Sequence, residues 1–171
     1  MTYYNVYETP CGLDGLIMYS DGEYLTGLSF YKENSKPPLG CGYAELLIFD
    51  KTKAWLDSYF NGSDCGKAPE IRLCGVTQFC REVLELLQNV GYGQTVTYGD
   101  IAEKIAAKRG IKKMSAQAVG QALHKNPVCI IIPCHRVVGK DGSLVGYGGG
   151  LKQKEALLRL EKTQYHKKSG S

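Results

Sequence analysis

The stretch Pro133-Cys134-His135-Arg136 sets a thiol between a rigid residue and two potential cations. Proline fixes the chain direction just before the thiol, and a neighbouring cation or imidazole lowers a cysteine's pKa from its usual value of about 8.5. The thiolate is the nucleophilic form, so this arrangement suits attack by sulfur on an electrophilic carbon. A buried structural cysteine that happens to precede histidine fits a bare Cys-His dipeptide as well. Adjacent side chains in extended chain diverge, so contact between Cys134 and His135 requires a turn or a bridging water. The same alternation, on a strand, turns Cys129 away from Cys134 and makes it a poor disulfide partner.

Two further groups could complete a relay. Glu161 lies at i+4 from Leu157 and i+3 from Leu158 in the last helical stretch, which puts a carboxylate on an apolar face. Such a carboxylate needs a partner, and His135 is a suitable one; a last-turn glutamate in water is the alternative. Tyr98 follows Thr97 at a helix start, where its phenol can donate to a ligand or simply pack, as one of 12 tyrosines. Metal binding is not expected. The cysteines stand at 11, 41, 65, 74, 80, 129 and 134 and the histidines at 124, 135 and 166, without the close ligand pairs that zinc sites use.

Other elements must hold these groups in place. Tyr3–Tyr7, Gly15–Tyr19 and Tyr24–Phe30 read as strands divided by turns at Pro10-Cys11-Gly12 and Ser20-Asp21-Gly22. Asn34–Gly40 reads as a loop, and the spacing of Ile48, Thr52, Trp55 and Tyr59 predicts a helix over Glu45–Phe60. Thr77 can cap a helix with Phe79, Val83, Leu86, Leu87 and Val90 inward, Thr97 a second over Tyr98–Lys108, and Ser115 a third through His124. The last two resemble a helix-turn-helix unit; the corner of an ordinary helical bundle fits the pattern equally. Val128–Ile132 reads as a short buried strand, and a final helix runs from Leu151 to about Glu161 before a frayed polar tail.

Composition bounds the setting. With 43% hydrophobic and 22% charged residues in 171, the chain has the makings of a folded core rather than of disorder. The start lacks a signal pattern and no apolar run reaches the roughly 20 residues of a membrane span, so a cytoplasmic protein with reduced thiols is expected. The net charge of +4 is unevenly spread: residues 1–75 carry 6 basic against 10 acidic side chains, residues 76–171 carry 15 against 7. A positive half suggests a polyanionic partner, nucleic acid foremost.

Beyond the tetrad itself, the wider surroundings resemble a known family. Asn126-Pro127-Val128, Ile132-Pro133-Cys134-His135-Arg136-Val137, Thr97-Tyr98-Gly99-Asp100-Ile101-Ala102, Ala118-Val119-Gly120-Gln121-Ala122 and Tyr147-Gly148-Gly149-Gly150-Leu151 with Glu161 are similar to the O6-alkylguanine-DNA alkyltransferases. The resemblance implies a suicide repair protein. Cys134 would take the alkyl group from O6 of guanine irreversibly, His135 would act as base through a water, and Glu161 would orient the imidazole. Tyr98 would donate to guanine N3, Asn126 would tie the recognition helix to the active-site segment, and Tyr147 and Gly148, with Arg136 and Val137, would complete the substrate pocket, Gly148 offering its N–H to O6. The target atom is hidden in a stacked duplex, so the nucleotide must be flipped out.

In this family the second helix of the helix-turn-helix enters the minor groove. The small residues Ala116, Ala118 and Gly120, behind Ser115, suit that narrow space. Lys104, Lys108, Arg109, Lys112 and Lys113 would meet phosphates without sequence preference. Gln117 departs from the family, which usually has an arginine there to fill the gap left by the flipped base.

The expected architecture is therefore α+β. A small N-terminal domain of antiparallel sheet plus helix (1–70) and a linker (71–75) precede a mainly helical DNA-binding and catalytic domain (76–163), with a helix-turn-helix and a short active-site strand, and a flexible tail (164–171). The expected partner is duplex DNA bearing O6-alkylguanine, bound by a monomer with no cofactor, no metal and no membrane. Three rivals are a non-catalytic alkyltransferase-like protein, disfavoured by the presence of Cys134, a helix-turn-helix transcription factor, and a Cys-His hydrolase.

Overall fold

The computed structural model describes residues 1–10, 12–32, 37–63 and 65–169, with side chains to residue 162. Cys11, part of the Asn34–Gly40 loop and the end of the expected tail lie outside the described residues. The chain divides into two units, Met1–Cys74 and Gly75–Ser171.

In the first unit, β1 (Thr2–Tyr7), β2 (Gly15–Ser20) and β3 (Leu25–Tyr31) form an antiparallel meander. A short β4 (Cys41–Tyr43) adds to the free edge of β1 in parallel, giving the order β3-β2-β1-β4. The sheet is thus mixed rather than purely antiparallel. β4 is three residues long with a central glycine, too brief to show a period-2 pattern, and it is held by a distant contact: the buried Asn5 amide donates to the Ala44 carbonyl at 2.8 Å. Helix α1 (Leu47–Phe60) buries Phe49, Leu56 and Tyr59 with Leu16, Met18 and Leu28 in the core of this unit. Beyond it, Ile71 bridges to Leu25 along the β3 edge, through Leu25 N–H to the Glu70 carbonyl and Arg72 N–H to the Leu25 carbonyl, both 2.9 Å.

The second unit is helical. α2 (Gln78–Leu87) starts at Thr77, whose hydroxyl accepts from Cys80 N–H. Its buried stripe is Cys80, Val83, Leu84 and Leu87; Val83 and Leu87 point inward as expected, whereas Phe79, Leu86 and Val90 are only half-buried. Phe79 is drawn outward beneath the Arg109 guanidinium, 5.1 Å from its ring centre. α3 (Tyr98–Arg109) opens with a reciprocal cap: Asp100 N–H donates to the Thr97 hydroxyl at 3.1 Å and Thr97 N–H to the Asp100 carboxylate at 2.9 Å. It ends at Gly110, in the left-handed conformation (φ 63°) that a residue without Cβ adopts cheaply. α4 (Ala116–His124) is capped by Ser115 and buries Val119, Ala122 and Leu123. α5 (Leu151–Ser169) continues past Glu161, because no glycine or proline interrupts the sequence before Gly170.

Two corrections concern the site. Val128–Ile132 is not a strand: tight turns close Ile131 N–H on the Cys129 carbonyl (2.8 Å) and Ile132 N–H on the Val128 carbonyl (3.1 Å), and Ile130 takes φ 66°. That conformation is costly for a β-branched residue, on the order of 1–3 kcal/mol, and persists because its surroundings over-determine it. Composition read Val128, Cys129, Ile130 and Ile132 rightly as buried, Ile131 being half-buried, and the whole run wrongly as extended. The short strand at the site is instead β6 (Val137–Val138), which follows the cysteine and pairs in parallel with β5 (Val96–Thr97).

Candidate active site

The pairing of β5 with β6 decides the geometry. It sets the start of α3, with Tyr98, beside one turn of 3-10 helix over Cys134–Arg136. This segment is a tight turn rather than extended chain. Cys134 is 8% exposed, and the Asn126 amide, at the end of α4, donates both to its Sγ (3.1 Å) and to the Ile132 carbonyl (2.9 Å). The Asn126 carbonyl oxygen also accepts from Val128 N–H at 3.0 Å, so one side chain braces the turns and the thiol together. Burial pushes the Cys134 thiol pKa up, against the Asn126 hydrogen bond and the charge of Lys154.

His135 and Glu161 are both enclosed, and His135 Nε2 lies 2.7 Å from Glu161 Oε1. Glu161 also takes Nε and Nη2 of Arg136 at 2.9 Å each, and Gly93 N–H at 3.2 Å. Burial alone would raise this carboxyl; the hydrogen bonds and charges around it win and hold it down at about 2. Burial also lowers the His135 pKa, more than Glu161 raises it. The imidazole is therefore neutral at neutral pH, and its hydrogen bond to Glu161, followed by the Arg136 guanidinium, keeps the carboxylate ionised. A nitrogen facing a carboxylate carries the proton, so Nε2 is the donor and Nδ1 the basic nitrogen of the ring.

Tyr98, Gly120, Leu123, His124, Cys134, Gly146, Tyr147 and Gly148 enclose a cavity of about 20 Å³, room for a water and not for a purine. A groove of about 650 Å³ in the first unit is wider, yet it is lined by no histidine. The Tyr98 hydroxyl donates to the Val145 carbonyl at 2.7 Å. Its pKa is raised by burial and by Cys134.

Of the expected pocket residues, Tyr147 and Gly148 line the cavity and Asn126 touches the thiol. Arg136 and Val137 do not line it. Arg136 is committed to Glu161, to the Val90 carbonyl and to the face of Tyr92, and Val137 is buried in β6. Two cavity or near-cavity residues were not singled out by sequence. His124 closes the last turn of α4, and Lys154 is wholly buried with its ammonium on the Val145 and Gly146 carbonyls. A signal existed for Lys154, three residues before the inward Leu157; periodicity discounts a lysine on such a face as solvated.

The expected nucleic-acid face is exposed at Ser115, Ala116, Gln117, Lys104, Lys112 and Lys113, and half-exposed at Ala118 and Gly120. A groove of about 860 Å³ runs along α3 and α4 with Lys112, Lys113 and Gln117 on its walls. Gly120 has a second role: a Cβ there would meet the Tyr98 ring at 3.7 Å, so it borders the cavity as well as the groove. Arg109 is less available than its sequence position suggests, because its Nε donates to Glu82 at 2.9 Å.

Comparison with known proteins bears on the same residues. Residues 78–163 match the family model described as 6-O-methylguanine DNA methyltransferase, DNA binding domain. The methylated-DNA–protein-cysteine methyltransferase of Haemophilus influenzae is 39% identical over 95% of this chain and 88% of its own, and that of Mycobacterium leprae 41% identical over 92% and 90%. Among solved structures, the Mycobacterium tuberculosis O6-methylguanine methyltransferase superposes with TM-score 0.80 at 36% identity, covering 96% of this chain and 94% of that one. The structure of the Mycobacterium tuberculosis OGT protein in complex with DNA superposes at 0.78 and 34% identity, covering 95% and 94%.

Proposed function

The chain belongs to the methylated-DNA–protein-cysteine methyltransferase family, a DNA-repair family that acts by alkyl transfer to protein, and from that premise we propose how its own residues share the work. Cys134 is the acceptor. Its thiolate attacks the alkyl carbon on O6 of guanine; the C–S bond forms, the O6–C bond breaks, and that electron pair passes into the purine. The thiol proton leaves through a water to His135 Nδ1, while Nε2–H stays on Glu161. Net, the thiol proton replaces the alkyl group on the base, and the protein is spent as a thioether.

Tyr98 stabilises the charge that develops on the leaving guanine by donating to N3, and Gly148 N–H meets O6. Asn126 holds Sγ in line. The observation that carries this reading is the enclosed thiol with a neutral imidazole held by a buried carboxylate, beside a tyrosine hydroxyl in the same small cavity. A cavity of about 20 Å³ must widen to take a base, which agrees with the lesion being flipped out of the duplex rather than read in the stack.

DNA lies against the α3–α4 face, with α4 in the minor groove, where Ala116, Ala118 and Gly120 leave room and Lys104, Lys112 and Lys113 reach phosphates. The protein acts as a monomer in the cytoplasm on duplexes bearing O6-alkylguanine. Among the described residues no helix is long and apolar enough to cross a membrane.

The direct test is the intact mass of the protein after incubation with a duplex carrying one O6-methylguanine. The expected result is a stoichiometric gain of one methyl group, placed on Cys134 by peptide mapping. Repeated turnover, or no transfer despite DNA binding, would overturn the reading. Gln117 offers a second prediction. It is exposed at the start of α4, and an arginine there adds a charge-assisted contact to the orphaned cytosine. Gln117→Arg is expected to tighten duplex binding roughly three- to tenfold at fixed salt, read by fluorescence anisotropy; unchanged affinity would assign gap filling to other contacts.

A further inference from the structure

Lysine is almost never fully buried without a partner of opposite charge. Lys154 is 0% exposed, and its ammonium donates to two loop carbonyls, Val145 at 3.0 Å and Gly146 at 3.3 Å. The Tyr98 hydroxyl serves the same pair, at 2.7 Å and 3.5 Å. The ammonium also lies 5.8 Å from the centre of the Tyr98 ring. Burial lowers the Lys154 pKa while Cys134 opposes the shift.

The Val145 carbonyl therefore has two donors where one would satisfy it. This redundancy acquires a purpose once Tyr98 is asked to do chemistry. A phenol has one proton to donate, and it cannot stay on Val145 and reach a purine nitrogen in the same step. Without a second donor, turning Tyr98 toward the base would leave the Val145 carbonyl, one residue before the cavity-lining Gly146, without its protein donor at the moment the transition state forms.

We propose that Lys154 is a positioning residue for the transfer reaction: it holds the Val145 and Gly146 carbonyls so that Tyr98 can pass its hydrogen bond to the leaving base without disordering the pocket wall. The proposal rests on the reading of Tyr98 as donor to the base. It makes the contribution of Lys154 conditional on the Tyr98 hydroxyl, which a merely structural lysine would not be.

The test is a double-mutant cycle on the full chain, using single-turnover transfer from a duplex carrying one O6-methylguanine. Lys154→Met is expected to slow transfer roughly 10- to 100-fold, the effect of an orphaned carbonyl, with duplex affinity within about threefold of wild type. In Tyr98→Phe, where no hydroxyl changes partner, the same lysine substitution is expected to change the rate by less than about threefold. An equal loss in both backgrounds, or wild-type rates in Lys154→Met, would overturn the proposal. Thermal melts accompany each variant; if the methionine variant does not fold, Lys154→Leu, which likewise removes the donor, takes its place in the cycle with the same two outcomes. Failure of the wild-type protein to transfer would instead reject the alkyl-transfer reading itself.

Discussion

Cys134→Ser is expected to bind methylated duplex and to transfer nothing. Serine preserves the hydrogen bond from Asn126, which reaches Sγ at 3.1 Å, and it leaves the cavity wall intact. What it removes is the sulfur nucleophile: a hydroxyl is far harder to ionise than a thiol, and a carbon–sulfur bond is the end product of the reaction. The other described cysteines are poorly placed to substitute. Cys41, Cys65 and Cys74 belong to the first unit, and Cys80 donates from Sγ to the Ala122 carbonyl at 3.3 Å with its pKa raised chiefly by burial. Cys129 lies in the turn before the site and does not line the cavity. Intact mass after incubation checks the prediction, with anisotropy confirming that the duplex is still bound. A methyl group on the variant would place the acceptor on another thiol.

The second large effect belongs to Glu161. Glu161→Gln keeps the shape and removes the charge that His135, Arg136 and Gly93 share. A buried guanidinium left without its carboxylate costs about 3 kcal/mol or more, which corresponds to a melting temperature lower by roughly 10 °C. Transfer is expected to slow about a hundredfold, since the imidazole loses the group that fixes its tautomer. DNA binding should survive, because Ser115, Ala116 and Gln117 lie on the exposed face of α4, away from this network. The pH dependence has a definite sign. The Glu161 pKa is held at about 2 in the folded chain, below the value of about 4.3 of an unfolded glutamate. Its stabilisation is thus complete above the unfolded value and is lost as pH falls through about 2. Wild type and variant should differ most near neutrality and converge in acid, a comparison that denaturant melts at several pH values can make. A gap that stays constant down to the lowest pH would deny Glu161 its ionised role.

Much of this was legible without coordinates, and the reasons differ by residue. Thr77, Thr97 and Ser115 cap their helices as read, because capping is a local contest between a side-chain oxygen and a few amide groups. Glu161 was placed on an inward face by spacing alone, and the carboxylate does meet His135. Local pattern failed where long-range contacts outrank it. β4 depends on a parallel pairing with β1 across some 40 residues, and the apolar run Val128–Ile132 is bent into turns by hydrogen bonds and by Asn126.

By itself the sequence pointed to the reagent and the face proposed above. The Cys-His-Arg tetrad with its proline, the small-residue helix and the basic second half are matters of residue type, and type decides which atom can be a nucleophile and which surface attracts phosphate. Only the tertiary structure decided the electrostatics. Whether His135 is neutral, which charge sustains Glu161, that Arg136 faces away from the cavity and that Lys154 is buried against its wall all depend on distance and desolvation. Those quantities arise when β5 pairs with β6 and α5 packs against the turn that carries Cys134, and no local spacing encodes them.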